Sequence, residues 1–156
     1  MPGDKRARRK RRPEGIASEV LIFDGDPGSV RGGLIALFAC PLLARLTGDS
    51  RGTVEIVLAE VLNNIAEHAY AEFPGKIEIS VTGHETFLFV RLVDSGLAMP
   101  GGELPGGKLS AATEVQDLPE GGFGWSLIRS LTRELTYLRE GDHNRLSFCV
   151  DVEYLD

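Results

Sequence analysis

The feature that most constrains the fold is a long amphipathic helix in the first half of the chain. Apolar residues recur at helical spacing from about Ser50 to Ala71, and Pro74 with Gly75 ends the pattern. A helix with one apolar face has to pack on other elements of a core. The residues of that face are Val54, Val57, Leu58, Val61, Leu62, Ile65 and Ala69.

One edge of this helix is polar where it borders the apolar face. Glu60, Asn64 and His68 recur at every fourth position, whereas Asn63 and Glu67 point away from the core. Each of the three taken alone is explained most simply as part of a solvated flank. Together, a carboxylate and a carboxamide one turn apart offer oxygen ligands for Mg²⁺, and the glutamate can also orient or deprotonate a hydroxyl.

The remaining periodic segments predict a mixture of strands and helices. "SEVLIFDGDP" has the character of a strand, and a helix is predicted from about Ser29 to Leu46 with a kink or break at Pro41. "KIEISVTG" and "TFLFVRLVDSG" predict a β-hairpin that turns at Gly83 to Glu85.

The C-terminal third is predicted as a helix over "GWSLIRSLTRELTYLRE" followed by a strand over "NRLSFCVDVEY". This order predicts an α+β fold in two layers. A mixed, mostly antiparallel sheet is covered on one face by about three helices. The loop between Gly96 and Gly122 is rich in glycine and proline, and a loop of that length inside a compact domain is typical of a functional lid.

Charge divides the chain into two parts. Lys5 to Arg12 contains seven of the 17 basic residues, and with Asp4 set aside the rest carries 10 basic against 22 acidic residues. Residues 1–15 are therefore expected to be a disordered basic arm, and residues 16–156 a single domain. Nucleic acid or an acidic partner could attract the arm, but the acidic body argues against a nucleic-acid reader.

Other classes of protein are disfavoured by composition. Cys40 and Cys149 lie in apolar surroundings without a CxxC motif, which is typical of buried thiols in a reducing compartment. The three histidines, His68, His84 and His143, are too scattered to predict a zinc site. No apolar run reaches the length of a membrane helix, so a cytoplasmic protein is expected.

Two further motifs carry chemistry. "VDSG" ends the predicted hairpin, so Asp94 can present its carboxylate to a hydrogen-bond donor such as an amino group, and Gly96 allows a flat ligand to approach the backbone. A simple β-turn explains this motif equally well. "EGGFGWSLI" places glycines at the start of a helix, where free N–H groups can bind an anion. There is no Walker motif and no GxGxxG motif after a parallel strand.

In order and spacing, "EVLNNIAEHAY", "VRLVDSG" and "GGFGWSLIRSL" resemble the nucleotide-binding boxes of the GHKL, or Bergerat-fold, superfamily. Within that superfamily they are most similar to the small anti-sigma-factor serine kinases of the RsbW and SpoIIAB type. The resemblance covers nearly everything from about Ser18 onward.

The resemblance implies a role for each matching residue in binding ATP and Mg²⁺. Glu60 would be the catalytic base and Asn64 the Mg²⁺ ligand, with His68 near the phosphates or ordering the cleft. Asp94 would bind the adenine amino group and Gly96 would lie beneath the adenine. The phosphates would meet the backbone of the glycine-rich helix start, and residues 96–121 would form the ATP lid. The residues of that helix start are Gly122, Phe123 and Gly124.

Three positions qualify the resemblance. Arg31 falls near a position where the family uses an arginine against its protein partner, although a solvated arginine is about as good an explanation. Ala98 stands where the family usually has a second glycine, which can change the geometry of the lid. Trp125 stands where the family mostly has leucine, and it can pack over the site.

The resemblance implies a bacterial serine/threonine kinase of a partner-switching system. It would transfer the γ-phosphoryl group of ATP to a STAS-type anti-anti-sigma protein, and it could also bind a sigma factor and form a homodimer. The alternative is a regulator that binds its partner under the control of nucleotide, with little or no kinase activity. Retention of Glu60 favours the kinase, because a pure binding module could dispense with a base.

Overall fold

The computed structural model describes residues 17–105 and 122–156. The basic arm and most of the expected lid, residues 106–121, lie outside these ranges. In the described part, five strands form one sheet in the order β1-β2-β3-β5-β4, and each of the four strand pairings is antiparallel. The strands are β1 (Ala17–Asp24), β2 (Lys76–Gly83), β3 (Phe87–Asp94), β4 (Arg133–Glu140) and β5 (His143–Asp151).

Helices pack on one face of this sheet. A short 3₁₀ turn also follows β3 at Pro100–Gly102. The helices are α1 (Pro27–Ala39), α2 (Pro41–Ala44), α3 (Gly48–Asn64), which continues as a π-helical turn (Ile65–Ala69), and α4 (Gly122–Leu131). The predicted α+β two-layer fold is thus confirmed, although the sheet is wholly antiparallel in the described part rather than mixed.

Capping and proline placement explain where the helices begin and break. The Oδ1 atom of Asp26 accepts a hydrogen bond from the amide of Ser29 at 2.9 Å, and Thr47 caps α3 through the amide of Ser50. The predicted break at Pro41 is confirmed, because α1 ends at Ala39 and α2 begins at Pro41.

The core lies between the helices and the inner face of the sheet. The apolar face predicted for α3 is confirmed, since its residues are buried, while Asn63 and Glu67 are exposed. Alternate residues of β2 and β3 contribute from the sheet, as expected for a sheet covered on one face. Among the described residues, no helix is long and apolar enough to cross a membrane.

The helix predicted over "GWSLIRSLTRELTYLRE" is wrong in its second half. The helix α4 ends at Leu131, and the following residues form β4, which pairs with β5 across a turn at Gly141 with φ +57°. The spacing from Leu131 to Leu135 suits a helix. However, "RELTYLRE" also alternates polar and apolar residues, and pairing with β5 stabilises the strand.

Candidate functional site

A cavity of about 170 Å³ opens between the end of α3, the end of β3, the start of the expected lid, α4 and β5. Its wall is mostly apolar, with polar groups at both ends, as in many small-molecule sites. Both Ala98 and Trp125, the two positions that depart from the family pattern, belong to its lining. The lining residues are Val61, Asn64, Ile65, His68, Ala69, Asp94, Leu97, Ala98, Met99, Pro100, Trp125, Tyr137, Asn144 and Leu146.

The first end of the cavity is formed by α3 and the start of α4. Asn64 is 7% exposed, and its Nδ2 atom is buried without a hydrogen-bond partner among the described residues. Gly124 lies directly against this edge, because a Cβ atom added to it would be 2.7 Å from Glu60 Oε2 and 3.6 Å from Asn64 Nδ2. The structure therefore brings Glu60, Asn64 and the glycine-rich start of α4 together.

His68 lies on the π-helical turn rather than on the α-helix itself. The amide of Tyr70 donates to the carbonyl of Ile65 at 3.1 Å, which is the hydrogen bond of a π turn. The wider turn interrupts the regular spacing after Asn64. His68 is exposed and Asn64 is buried, but both line the cavity, so the edge predicted for Glu60, Asn64 and His68 continues past the π-helical turn.

The second end of the cavity is built around Asp94, the last residue of β3. Asp94 is 5% exposed, and its Oδ1 atom accepts hydrogen bonds from the amide of Gly96 at 2.9 Å and from Asn144 Nδ2 at 2.8 Å. Burial raises the pKa of the Asp94 carboxyl. The hydrogen bonds from Asn144 and Gly96 oppose that rise, and so do the charges of the nearby Arg139 and His143.

Sequence reasoning missed Asn144, the partner of Asp94 on β5. The two residues are directly opposite in the register of β3 and β5. An antiparallel pairing of the two segments would have placed "HNR" beside "VDSG", but the register could not be set while β4 was assigned to a helix. The buried polar pair therefore emerges only from the completed sheet.

The described start of the expected lid is tied to the cavity wall. The amide of Leu97 donates to the carbonyl of Ala69 at 2.7 Å, and the amide of Met99 donates to the Tyr137 hydroxyl at 2.9 Å. A Cβ atom at Gly96 would lie 2.4 Å from the Ala69 carbonyl oxygen. Glycine is thus required at Gly96 for the strand end to pack against the π-helical turn.

Other predicted positions lie elsewhere or are described only in part. Gly122 and Phe123 form the first turn of α4, immediately before Gly124. Arg31 is exposed on α1, in a separate groove between α1 and α3 that Phe38 and Arg51 also line. The structure therefore does not bring Arg31 into the cavity.

The described cavity has a chemistry distributed along its length. An aspartate at one end can accept a hydrogen bond from an amino group, and the apolar middle can hold a flat ring. At the other end, a helix N-terminus can bind an anion beside a carboxylate and a carboxamide whose nitrogen has no hydrogen-bond partner among the described residues. This order suits an elongated ligand with a polar base, a ring system and an anionic tail.

Comparison with known proteins identifies the family of the chain. The histidine kinase-like ATPase domain family matches residues 23–150. The serine-protein kinase RsbW of Bacillus cereus (strain AH820) is 29% identical over 94 residues, or 59% of each chain. The RsbW of Bacillus cereus (strain AH187) is 29% identical over 103 residues, which are 63% of this chain and 64% of that protein.

The matched segment spans about three fifths of the length of these curated relatives. The family match, in contrast, covers β2, β3, α3 and α4, which carry both ends of the cavity, together with nearly all of β5. The chain therefore belongs to the histidine kinase-like ATPase domain family.

Proposed function

We propose that the protein is an ATP-dependent serine/threonine protein kinase of a partner-switching system. Its substrate would be a STAS-type anti-anti-sigma protein, and a sigma factor is a further candidate partner. The observation that carries the proposal is the buried, unpartnered Nδ2 atom of Asn64, which lies beside Glu60 and the N-terminus of α4. A buried donor without an acceptor is costly, so an anionic ligand such as a phosphate at this point would satisfy it.

The residues of the cavity fit ATP and Mg²⁺. Asp94 would accept a hydrogen bond from the adenine amino group, and the first turn of α4, Gly122 to Gly124, would direct amides at the phosphates. Asn64 would hold Mg²⁺ through its Oδ1 atom, while its Nδ2 atom would donate to a phosphate oxygen. The metal would supply charge neutralisation on the transferred phosphoryl group.

In this proposal Glu60 is the general base. It would accept the proton of a serine or threonine hydroxyl as the hydroxyl oxygen bonds to the γ-phosphorus. The bond from that phosphorus to the β–γ bridging oxygen breaks, and ADP leaves. The position of Glu60 supports this role, since its Oε2 atom lies beside Gly124 at the start of α4.

The groove that contains Arg31 is our proposed partner-binding surface. It lies between α1 and α3, and α3 also carries Glu60 and Asn64. The exposed side chain of Ile35, which lies one turn beyond Arg31, adds apolar surface to the same groove. A protein bound there would touch the helix that forms the catalytic edge. Replacement of Arg31 by glutamate should then weaken partner binding without changing ATP affinity.

The test is transfer of label from γ-labelled ATP to STAS-type proteins encoded in the same genome. We expect Glu60→Gln to reduce transfer by about 10²- to 10⁴-fold while ATP affinity changes little, because the base acts only in the chemical step. Glu67→Gln is the matched control, since Glu67 is exposed and points away from the core. Undiminished transfer by Glu60→Gln would reject Glu60 as the base.

A nucleotide-gated regulator without kinase activity is the second candidate. It rests on the hydrogen bond from the Met99 amide to the Tyr137 hydroxyl, which ties residue 99 to the cavity wall. Nucleotide in the cavity could therefore change the position of the segment around Met99 for a partner. ATP-dependent partner capture with no transfer to any STAS-type protein would establish this alternative.

A further inference from the structure

A buried asparagine organises the end of the cavity that holds Asp94. Asn144 is 5% exposed, lines the cavity and lies opposite Asp94 in the sheet. Its side chain contacts β3, β4 and the start of the expected lid together. A buried amide with this many partners is held in one orientation.

Hydrogen bonds fix which way the Asn144 amide faces. Its Nδ2 atom donates to Asp94 Oδ1 at 2.8 Å and to the Leu97 carbonyl at 2.8 Å, with the Gly96 carbonyl at 3.5 Å. Its Oδ1 atom accepts from the Tyr137 hydroxyl and from Arg139 at 3.1 Å. The donors surround Oδ1 and the acceptors surround Nδ2, so a reversed amide would lose its bonds to Asp94, Leu97 and Arg139.

This arrangement decides which oxygen of Asp94 can meet a ligand. Among the described residues, both hydrogen bonds to the Asp94 carboxylate, from Gly96 and Asn144, are accepted by Oδ1. The Oδ2 atom is thereby left as an acceptor, and Asp94 belongs to the cavity lining. An acceptor at this position favours a base with an amino group and disfavours one with a carbonyl oxygen there.

We infer that Asn144 is a positioning residue that holds Asp94 as a pure acceptor and so makes the cavity select 6-amino purines over 6-oxo purines. The inference rests on the proposed binding of a purine nucleotide. Arg139 strengthens the arrangement, because its Nη1 atom also donates to the Gly96 carbonyl at 2.7 Å. The same cluster therefore connects the Asp94 end of the cavity, which would bind the purine base and is called the base end below, to the start of the expected lid.

The side chain at position 144 needs a donor and an acceptor at once. An aspartate there would place a second carboxylate beside Asp94 and two carbonyl oxygens, and one of the two acids would have to hold a proton. That proton would turn the Asp94 end from an acceptor into a possible donor. A 6-oxo purine would then be accepted better and a 6-amino purine worse.

The experiment compares the affinities of ATP and inosine triphosphate by calorimetry. The two nucleotides differ only in the amino or oxo group at position 6, so the ratio of their affinities measures the proposed selectivity. We expect the wild type to prefer ATP. Asn144→Asp should lower the ratio of ATP affinity to inosine triphosphate affinity by about tenfold or more, because this is the effect of losing one charged hydrogen bond. Ser147→Asp, which adds the same charge to β5 without touching the cavity lining, should keep the wild-type ratio.

A second variant tests the same inference if Asn144→Asp does not fold. Tyr137→Phe removes the hydroxyl that donates to Asn144 Oδ1 but retains the ring in the cavity wall. It should lower the ratio in the same direction by a smaller factor of about three. A wild-type ratio in both folded variants would overturn the inference alone. A wild type that binds neither nucleotide would overturn the proposed function as well.

Discussion

The two buried asparagines of the cavity differ in how completely they are hydrogen-bonded. Asn144 at the Asp94 end donates to Asp94 and Leu97 and accepts from Tyr137 and Arg139. The Nδ2 atom of Asn64, at the α4 end, has no hydrogen-bond partner among the described residues. Both side chains are less than a tenth exposed, so burial does not explain the difference.

This difference distinguishes an end of the cavity whose buried polar groups are hydrogen-bonded within the protein from an end where one buried donor lacks a partner. A fully bonded network is rigid and contributes to stability, whereas a buried amide without a partner costs stability until a ligand binds. The base end is thus organised by the protein itself. The α4 end depends on what enters the cavity, which agrees with our proposal that phosphates and Mg²⁺ bind there.

The comparison predicts opposite effects of the same substitution at the two asparagines, and the larger effect belongs to Asn144. Leucine matches asparagine in heavy atoms but cannot form hydrogen bonds. Asn144→Leu leaves Asp94, Tyr137 and Arg139 without this partner, so we expect the free energy of unfolding to fall by about 3 kcal/mol. Urea denaturation measures this change. An unaltered midpoint would show that the network at the base end contributes no stability.

Asp94→Asn tests whether the Asp94 end of the cavity binds the adenine of ATP. Because both hydrogen bonds go to Oδ1, an asparagine can keep them and turn its amide nitrogen toward the cavity. It would then face the adenine amino group with a donor, and we expect ATP affinity to fall by about 100-fold. Calorimetry measures the affinity, and ATP binding at the wild-type level would remove Asp94 from the site.

The same variant should not lose stability at neutral pH. Burial raises the pKa of Asp94 in the folded protein, so the ionised carboxylate costs stability above that pKa. The cost is relieved as the pH falls through the folded pKa. Asp94→Asn should therefore unfold at or above the wild-type temperature at pH 7, and its advantage should shrink in acid. A growing advantage in acid would contradict this sign.

Asn64→Leu should have a smaller effect on stability, in the opposite direction. It removes the unpartnered Nδ2 atom, and we expect the free energy of unfolding to rise by about 1 to 2 kcal/mol. The Mg²⁺-dependent part of ATP affinity should disappear with it. Asn63→Leu is the matched control, because Asn63 is exposed on the same helix. A destabilised Asn64→Leu protein would mean that Asn64 has a structural role.

The smallest effect is expected for alanine at two glycines. Gly124→Ala places a Cβ atom 2.7 Å from Glu60 Oε2, so the carboxylate must move, whereas Gly52→Ala on α3 meets nothing within 4 Å. Both should gain about 0.5 to 1 kcal/mol of stability from helix propensity. Only Gly124→Ala should also lower phosphoryl transfer, which the labelled-ATP assay measures. Equal transfer by both variants would show that the position of the Glu60 carboxylate beside the start of α4 does not affect phosphoryl transfer.

The sequence predicted the two-layer fold and the polar edge of α3 because both depend on local spacing. Val57, Val61 and Ile65 recur at helical intervals, and the pattern alone places Glu60 and Asn64 beside them. The break at Pro41 follows equally locally from the missing amide of proline. These features need no knowledge of which strands pair.

Features that depend on distant pairing could not be predicted in the same way. The strand β4 has a leucine spacing that also suits a helix, and only pairing with β5 decides between them. The role of Asn144 depends in turn on the register of β5 with β3. The π-helical turn that exposes His68 has no sequence signal that we recognise.

The most direct test of ATP binding uses Trp125, the only tryptophan of the chain, which is buried in the cavity lining. ATP would be titrated with and without Mg²⁺ while tryptophan fluorescence and calorimetric heat are recorded. We predict saturable binding of ATP with a change in fluorescence, tighter with Mg²⁺, and loss of both signals in Asp94→Asn. Absence of calorimetric binding to the folded wild type at millimolar ATP would contradict the account.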